Sequence, residues 1–272
     1  MVRKRFGMLS AELFLLRSRV STWVLLGIWG ALGLFFSYVL EYLTDEGIEA
    51  MLPDAFVRTM ISGFPFYGGA IALMLGVLSI GSDFGWGTFK TLFSQRPGRG
   101  QVFAAKMGAL AVMLIPFVVL MFVIGAAASV VVAWGEGAAI VWPDARTIVE
   151  AMLAGWLILA VWVAVGVVLA VVTRGTSLAI GIGIIYTLVI EGLISAFANQ
   201  ISWLEPLIYG FLRANAYSLV RPLGGTGGET GEGPGVFTGP FVSGTQALVV
   251  MIGYLVVFMG VSVWLLRRRD VD

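Results

Sequence analysis

The sequence predicts an all-α integral membrane protein with six transmembrane helices and with both termini in the cytoplasm. Of its 272 residues, 59% are hydrophobic and only 12% are charged, whereas soluble domains carry about 25% charged residues. The apolar residues fall in runs of roughly twenty, a length that crosses about 30 Å of hydrocarbon as a helix. Lysine and arginine are also divided unequally between alternate connections, which predicts the orientation.

Residues 1–21 are expected to form an amphipathic helix in the plane of the inner membrane surface. Their apolar residues recur at alternating spacings of three and four, on one helical face, at Phe6, Leu9, Leu13, Leu16 and Val20. Glu12, Arg17 and Arg19 lie off that face, and the basic residues would then meet anionic lipid. A basic flank without a helix is the alternative.

Six apolar segments follow, and each is long enough to span the bilayer. They cover residues 22–40, 65–81, 107–134, 151–172, 178–198 and 247–266. The first segment is too long for the apolar region of a signal peptide, and no small-x-small cleavage pattern follows it. We therefore expect it to remain as a span.

Basic residues are retained on the cytoplasmic side of membrane proteins, so their positions predict the orientation. With the amino terminus inside, thirteen lysines and arginines lie in inner segments and four lie in outer loops, namely Arg58, Arg146, Arg213 and Arg221. The prediction is a multi-pass protein with both termini inside.

The chain contains neither cysteine nor histidine. This excludes disulfides, thiolate and imidazole metal ligands, and nucleophilic catalysis that depends on either residue. A Walker-type sequence is absent too, so we expect no catalytic residue, metal or cofactor in this chain, and any ATP with Mg would be bound by a partner. Nucleic acid is not an expected partner, because the basic residues are divided by membrane side rather than gathered on one face.

The last outer segment, residues 199–244, divides into two parts. Residues 201–212 are too apolar for a solvated loop and too few to span, which predicts an interfacial or re-entrant segment. Residues 223–235 are a glycine-rich linker. No Gly-Lys-Ser/Thr follows these glycines, so a phosphate-binding loop is not predicted.

The longest inner connection, residues 83–106, is rich in aromatic residues. Its pattern predicts a short helix just below the bilayer, with Asp83 capping the amino end and Arg96-Pro97-Gly98 ending it. A loop whose aromatic residues simply lie at the lipid interface is the alternative interpretation.

This connection resembles that of the ABC type-2 permease family. In that family an acidic residue after the second span precedes Gly-Thr, an apolar turn, a proline with a following arginine, and a lysine that opens the third span. The matching positions here are Asp83, Gly87-Thr88, Leu92-Phe93, Pro97, Arg99 and Lys106. The six spans, the amphipathic inner helix and the apolar segment before the last span extend the resemblance more loosely over the whole chain.

The resemblance implies the transmembrane permease subunit of an ATP-driven ABC exporter in the inner membrane of a prokaryote. The connection would be the coupling helix, which docks on a separate cytoplasmic ATPase. Its contact residues would be Asp83, Phe84, Trp86, Phe89, Lys90, Leu92, Phe93, Arg96 and Arg99. Two ATPase subunits and a second permease copy, or a paralogue, would complete the transporter.

Glu191 is the only acidic residue well within a predicted span, and an intramembrane carboxylate is a functional candidate because its burial is costly. Two roles are open. Glu191 either lines the export path or holds an outer gate through a hydrogen bond to the apolar segment 201–212 or to Arg213.

Small residues recur at every fourth position of the second predicted span, at Gly68, Ala72 and Gly76, and Gly181 lies on the fifth. Such spacing favours close helix packing. The resemblance adds a second interpretation, because the second and fifth spans of two copies surround the substrate path in that family.

Two other classes of function fit the same spans. One is a secondary transporter or channel, although ion-coupled transporters usually carry more polar residues inside the membrane. The other is a membrane anchor that serves a larger complex without transporting anything. An ATPase partner would favour the permease over both.

Overall fold

The computed structural model describes residues 2–43, 47–85, 98–191, 193–194, 208–225 and 241–268, and every regular element within them is helical. Among the described residues, five helices are long and apolar enough to cross a membrane. We number them by the predicted spans: span 1 (Val20–Leu43), span 2 (Phe56–Gly85), span 3 (Arg99–Glu136), span 4 (Ala145–Thr173) and span 6 (Gly244–Arg268). The chain is thus an all-helical protein of the multi-pass membrane type.

The described part of the fifth predicted span is also helical, and we call it helix 5. It begins as the α-helix Ser177–Ile184 and continues through the π-helical turn Ile185–Ile190. Its described residues are not among the five membrane-compatible helices. Residues 192 and 195–198 of this predicted span lie outside the described residues.

Spans 2 and 3 begin earlier than predicted. Span 2 starts at Phe56 rather than at Pro65, because the proline occupies the first turn of the π-helical stretch Phe64–Gly68, where its missing N–H is not needed. Span 3 starts at Arg99 rather than at residue 107. The predicted connection 83–106 therefore belongs to helices at both ends, and residues 86–97 between them lie outside the described residues.

The centre of the bundle is formed by spans 2 and 4. The most apolar window is 72% buried in each, compared with 33% in span 1 and 11% in span 6. Glycines allow the two helices to touch through their backbones. A Cβ atom at Gly76 would lie 2.3 Å from the carbonyl oxygen of Val163, and one at Gly166 would lie 2.2 Å from that of Leu73.

Span 3 is tied to its neighbours by aromatic hydrogen-bond donors. Trp29 and Tyr38 of span 1 and Trp156 of span 4 donate to the backbone carbonyls of Phe117, Gly125 and Ala111, at 2.9, 2.8 and 3.0 Å. Indole and phenol hydrogens in hydrocarbon have no water to bond, so such donors seek protein carbonyls. These bonds fix the positions of spans 1 and 4 along span 3.

The predicted amino-terminal helix is present as Val2–Ser18. It packs against the inner end of span 3, where Leu9 lies beside Gly108 and Leu16 is buried. The chain then turns at Arg19, whose backbone is extended, before span 1 begins. Because of this turn, Val20 does not continue the apolar face of the helix and is largely exposed.

We call the two ends of the bundle inner and outer, following the orientation that the basic residues predict. The amino-terminal helix packs near the start of span 3, where Leu9 lies beside Gly108. The last residues of span 6 lie at the same end, because Arg267 lies beside Gly100. Helix 5 begins at that end, where Thr176 contacts Gly81. Its described residues reach the opposite end, where Glu191 meets Leu212.

Candidate functional site

Four charged side chains meet at the inner end of the bundle. Glu12 lies on the amino-terminal helix, Arg19 at the start of span 1, Asp83 in the last turn of span 2, and Lys106 in the third turn of span 3. We call them the inner charge cluster. Each member belongs to a different element, so the cluster joins four segments of the chain at one point.

Lys106 is the centre of this cluster. Its Nζ atom lies 2.7 Å from Oδ2 of Asp83 and 2.8 Å from Oε2 of Glu12. Nη2 of Arg19 lies 3.2 Å from the other oxygen of Asp83. The side chains of Lys106 and Asp83 are only 3% and 4% exposed. Two cations balance two carboxylates, so no charge in the cluster is buried without a partner of the opposite sign.

Local structure explains how Arg19 reaches the cluster. Its backbone has φ −78° and ψ 123°, because it is the residue that separates two helices, and its side chain can therefore extend along span 2. There the guanidinium donates to the hydroxyl of Ser82 at 2.8 Å and to the carbonyl of Leu78 at 2.9 Å. Charge-assisted bonds of this kind are stronger than neutral ones.

The structure corrects two expectations about charged residues. Asp83 does not cap a coupling helix, because it belongs to the last turn of span 2 and its carboxylate is buried against Lys106. Arg19 does not face lipid, because its side chain turns toward span 2 and pairs with Asp83.

The other predicted coupling residues are distributed as follows. Phe84 is the penultimate residue of span 2 and packs against the hydrophobic core. Arg99 is the first residue of span 3, and its side chain lies outside the described part of the chain. Six of them also lie outside the described residues: Trp86, Phe89, Lys90, Leu92, Phe93 and Arg96.

Sequence reasoning did not recognise Glu12 as a candidate. One signal was present, because Glu12 is the single acidic residue among the first 21, which otherwise carry five basic residues. A single carboxylate in a basic segment next to a membrane is a candidate for an ion pair. Its partner Lys106 is 94 residues away, however, and no local pattern connects them.

At the outer end, Glu191 is fully buried and binds the start of another helix. Its Oε1 atom accepts hydrogen bonds from the backbone N–H of Leu212, at 3.0 Å, and from the hydroxyl of Tyr186, at 2.8 Å. Its Oε2 atom accepts one from the N–H of Arg213 at 3.2 Å. A carboxylate at this place satisfies free amide groups and faces the positive end of the helix dipole.

We call the helix that Glu191 binds, Leu212–Val220, the outer helix. Its own amino-capping residue, Phe211, makes no side-chain capping bond, so a residue of helix 5 takes that role. Most of its residues are buried: Leu212, Ala214, Asn215, Ala216, Tyr217, Ser218 and Val220. Of the predicted re-entrant segment 201–212, residues 201–207 lie outside the described residues.

The π-helical turn in helix 5 explains why Tyr186 faces Glu191. Residues five apart on an α-helix point about 140° away from each other, at 3.6 residues per turn. A π-helical turn aligns residue i with residue i+5 instead. The turn Ile185–Ile190 thereby brings the Tyr186 hydroxyl to the carboxylate, a detail that no sequence pattern indicates.

Neighbouring spans also hold the outer helix. The hydroxyl of Tyr254, on span 6, donates to the carbonyl of Gly210 just before the helix. The guanidinium of Arg213 lies over the rings of Phe66 and Tyr217, with its carbon 5.6 and 5.7 Å from their centroids. The outer helix therefore contacts span 2, helix 5 and span 6.

The predicted small residues of span 2 pack within the chain. A Cβ atom at Gly68 would meet the ring of Trp29 at 2.8 Å, Ala72 is buried, and Gly76 touches span 4. Gly181 differs, because it is exposed and a Cβ atom there would meet nothing within 4 Å. The face of span 2 that carries these residues is thus occupied by spans 1 and 4.

Residues 24–271 match the pattern of a family described as a protein of unknown function, DUF2705. The match covers nearly the whole chain, so the chain belongs to this family. A search of curated proteins finds no match.

Proposed function

We propose that this member of the DUF2705 family is the transmembrane permease subunit of an ATP-driven exporter, coupled to a separate cytoplasmic ATPase. The observation that supports it best is the inner charge cluster. The ion pair between Asp83 and Lys106, at 2.7 Å, ties together the two helices that the connection 86–97 joins. This connection is the one that resembles a coupling helix.

A coupling element must pass a force to the spans rather than absorb it. Asp83 and Lys106 make the inner ends of spans 2 and 3 one unit, Arg19 adds span 1, and Glu12 adds the amino-terminal helix. A displacement of residues 86–97 would therefore move four elements together. Side chains buried in this way hold one geometry, since any separation would expose charges to an apolar surrounding.

In this proposal, two copies of the chain, or the chain and a paralogue, enclose the path, and each binds one ATPase through residues 86–97. Phe89, Leu92 and Phe93 supply the apolar anchors, because buried aromatic and aliphatic side chains carry most of the energy of an interface. Lys90 and Arg96 orient the contact. ATP and Mg belong to the partner.

An ion-coupled transporter fits the geometry of Glu191 less well. The carboxylate already accepts hydrogen bonds from two backbone amides and one hydroxyl. These bonds favour a role in holding the outer helix over a role in carrying an ion.

We predict that the double substitution Phe89→Asp with Leu92→Asp disrupts binding of the ATPase. The affinity-tagged chain, purified from its native membranes in mild detergent, is expected to bring down a P-loop ATPase without spans and to stimulate its ATP hydrolysis. The two aspartates should abolish both, because each places a charge in an apolar contact.

A matched control is the pair Ile140→Asp with Val141→Asp, two exposed apolar residues in the opposite loop, between spans 3 and 4. This pair should retain the ATPase. Capture and stimulation that survive Phe89→Asp with Leu92→Asp would overturn the coupling role. Transport that persists in ATP-depleted vesicles under an ion gradient would instead identify a secondary transporter.

A further inference from the structure

We propose that the outer helix, Leu212–Val220, is a detachable plug for the outer end of the bundle, and that Glu191 is the latch that holds it. Only the place of this plug in an export cycle rests on the proposed function. The latch itself follows from contacts within the chain.

The outer helix is held at both ends by other elements. Glu191 of helix 5 binds its first two amide groups. At the other end, Gly224 lies against Arg58 of span 2, and a Cβ atom at Gly224 would be 3.3 Å from the Cβ atom of Arg58. Tyr254 of span 6 holds the preceding carbonyl of Gly210. The outer helix and the residues next to it therefore contact helix 5, span 2 and span 6.

The carboxylate at position 191 supports the role of a latch. Burying an ionisable group in an apolar surrounding is expensive, and a leucine could fill the same volume without that cost. What the carboxylate adds is a set of directional bonds to one helix end. Such bonds form in one docked position and are lost together when the helix moves, which gives two defined states rather than a continuous slide.

The outer helix depends on docking to remain folded. It has nine residues, whereas isolated helices shorter than about 12 residues are marginal in water. Its contacts also differ from those in the bundle centre, where Gly76 and Gly166 bring backbones together. Loss of the cap at Glu191 thus removes one of the contacts that order this helix, away from the contact between spans 2 and 4 at Gly76 and Gly166.

The absence of cysteine makes a direct test possible. Ser218 lies within the outer helix and is 1% exposed, so Ser218→Cys, a nearly isosteric change, reports undocking through its reaction with a membrane-impermeant maleimide. Adding Glu191→Ala should accelerate labelling about tenfold, since a lost helix cap shifts such equilibria by this order. Glu191→Gln, which keeps one acceptor oxygen, should accelerate it less.

Two controls distinguish undocking from unfolding. Glu150→Ala removes another carboxylate at the outer end, one that pairs with Arg146 on the surface, and should leave labelling unchanged. Ser79→Cys, 3% exposed in span 2, should stay unlabelled with or without Glu191→Ala. The latch would be overturned if Glu191→Ala left the labelling rate of Ser218→Cys unchanged, or if Ser79→Cys were labelled equally fast.

These measurements use the chain alone, so they do not depend on an ATPase. If the partner ATPase is captured, ATP should accelerate the labelling of Ser218→Cys in the complex. An unchanged rate, with ATP hydrolysis still stimulated, would overturn the plug and leave the permease role intact. Failure to capture an ATPase would overturn the permease role and leave the latch intact.

Discussion

A chain carrying Lys106→Met should lose roughly 3–5 kcal/mol of stability, the usual loss when one partner of a buried ion pair is removed. The substitution takes away the cation nearest to both Glu12 and Asp83, so that two carboxylates remain in the cluster with Arg19 as the single cation. Methionine fills most of the volume of lysine, so lost packing contributes little. The readout is thermal unfolding in detergent, followed by tryptophan fluorescence.

The exposed ion pair between Arg146 and Glu150 is a control for the effect of burial. Its N···O distance is 2.7 Å, the same as that between Lys106 and Asp83, but the arginine side chain is 88% exposed. Arg146→Met should leave the unfolding temperature unchanged, because water and salt screen an exposed pair. Equal effects at both sites would show that burial of the inner charge cluster does not determine its strength.

A double variant tests whether the unpaired charge, and not the loss of the lysine side chain itself, causes the destabilisation. Glu12→Met combined with Lys106→Met removes one charge of each sign and leaves Asp83 beside Arg19. It should cost less than Lys106→Met alone, because an apolar replacement of both partners avoids an unpaired charge. A double variant as unstable as the single one would indicate that Lys106 acts through packing.

The spans were predictable because their signal is local. A run of about twenty apolar residues needs no knowledge of the rest of the chain, and five of the six predicted runs are membrane-compatible helices. The errors lie at helix ends. The second predicted span began at Pro65, which lies inside the helix, and the predicted connection 83–106 ran past Arg99, where span 3 has already begun.

The candidate sites were predictable only in part, because their partners are distant in sequence. Glu191 stands out as an acid in an apolar run, yet its ligands are backbone amides 21 residues away, and amides have no side-chain signature. The pairing of Glu12 with Lys106 spans 94 residues and depends on how the amino-terminal helix packs. Such contacts follow from tertiary structure and not from any local pattern.

Gly76→Ala should destabilise the chain by about 1–3 kcal/mol, the usual cost of overpacking a dense interior. The new methyl group would lie 2.3 Å from the carbonyl oxygen of Val163, and a backbone atom cannot rotate away as a side chain can. Spans 2 and 4 would have to separate, which loosens the centre of the bundle. Thermal unfolding and the yield of monodisperse protein are the readouts.

The same substitution at an open position of the bundle should change stability in the opposite direction. Gly253→Ala on span 6 adds the same methyl group where nothing lies within 4 Å, and it should stabilise its helix by about 0.5–1 kcal/mol. A face of span 2 that lined a substrate path would tolerate alanine at position 76 equally well, since a methyl group would only narrow an open space. Opposite signs at the two glycines would therefore assign Gly76 to packing between spans 2 and 4, and would direct the search for the path to other faces, such as that of Gly181.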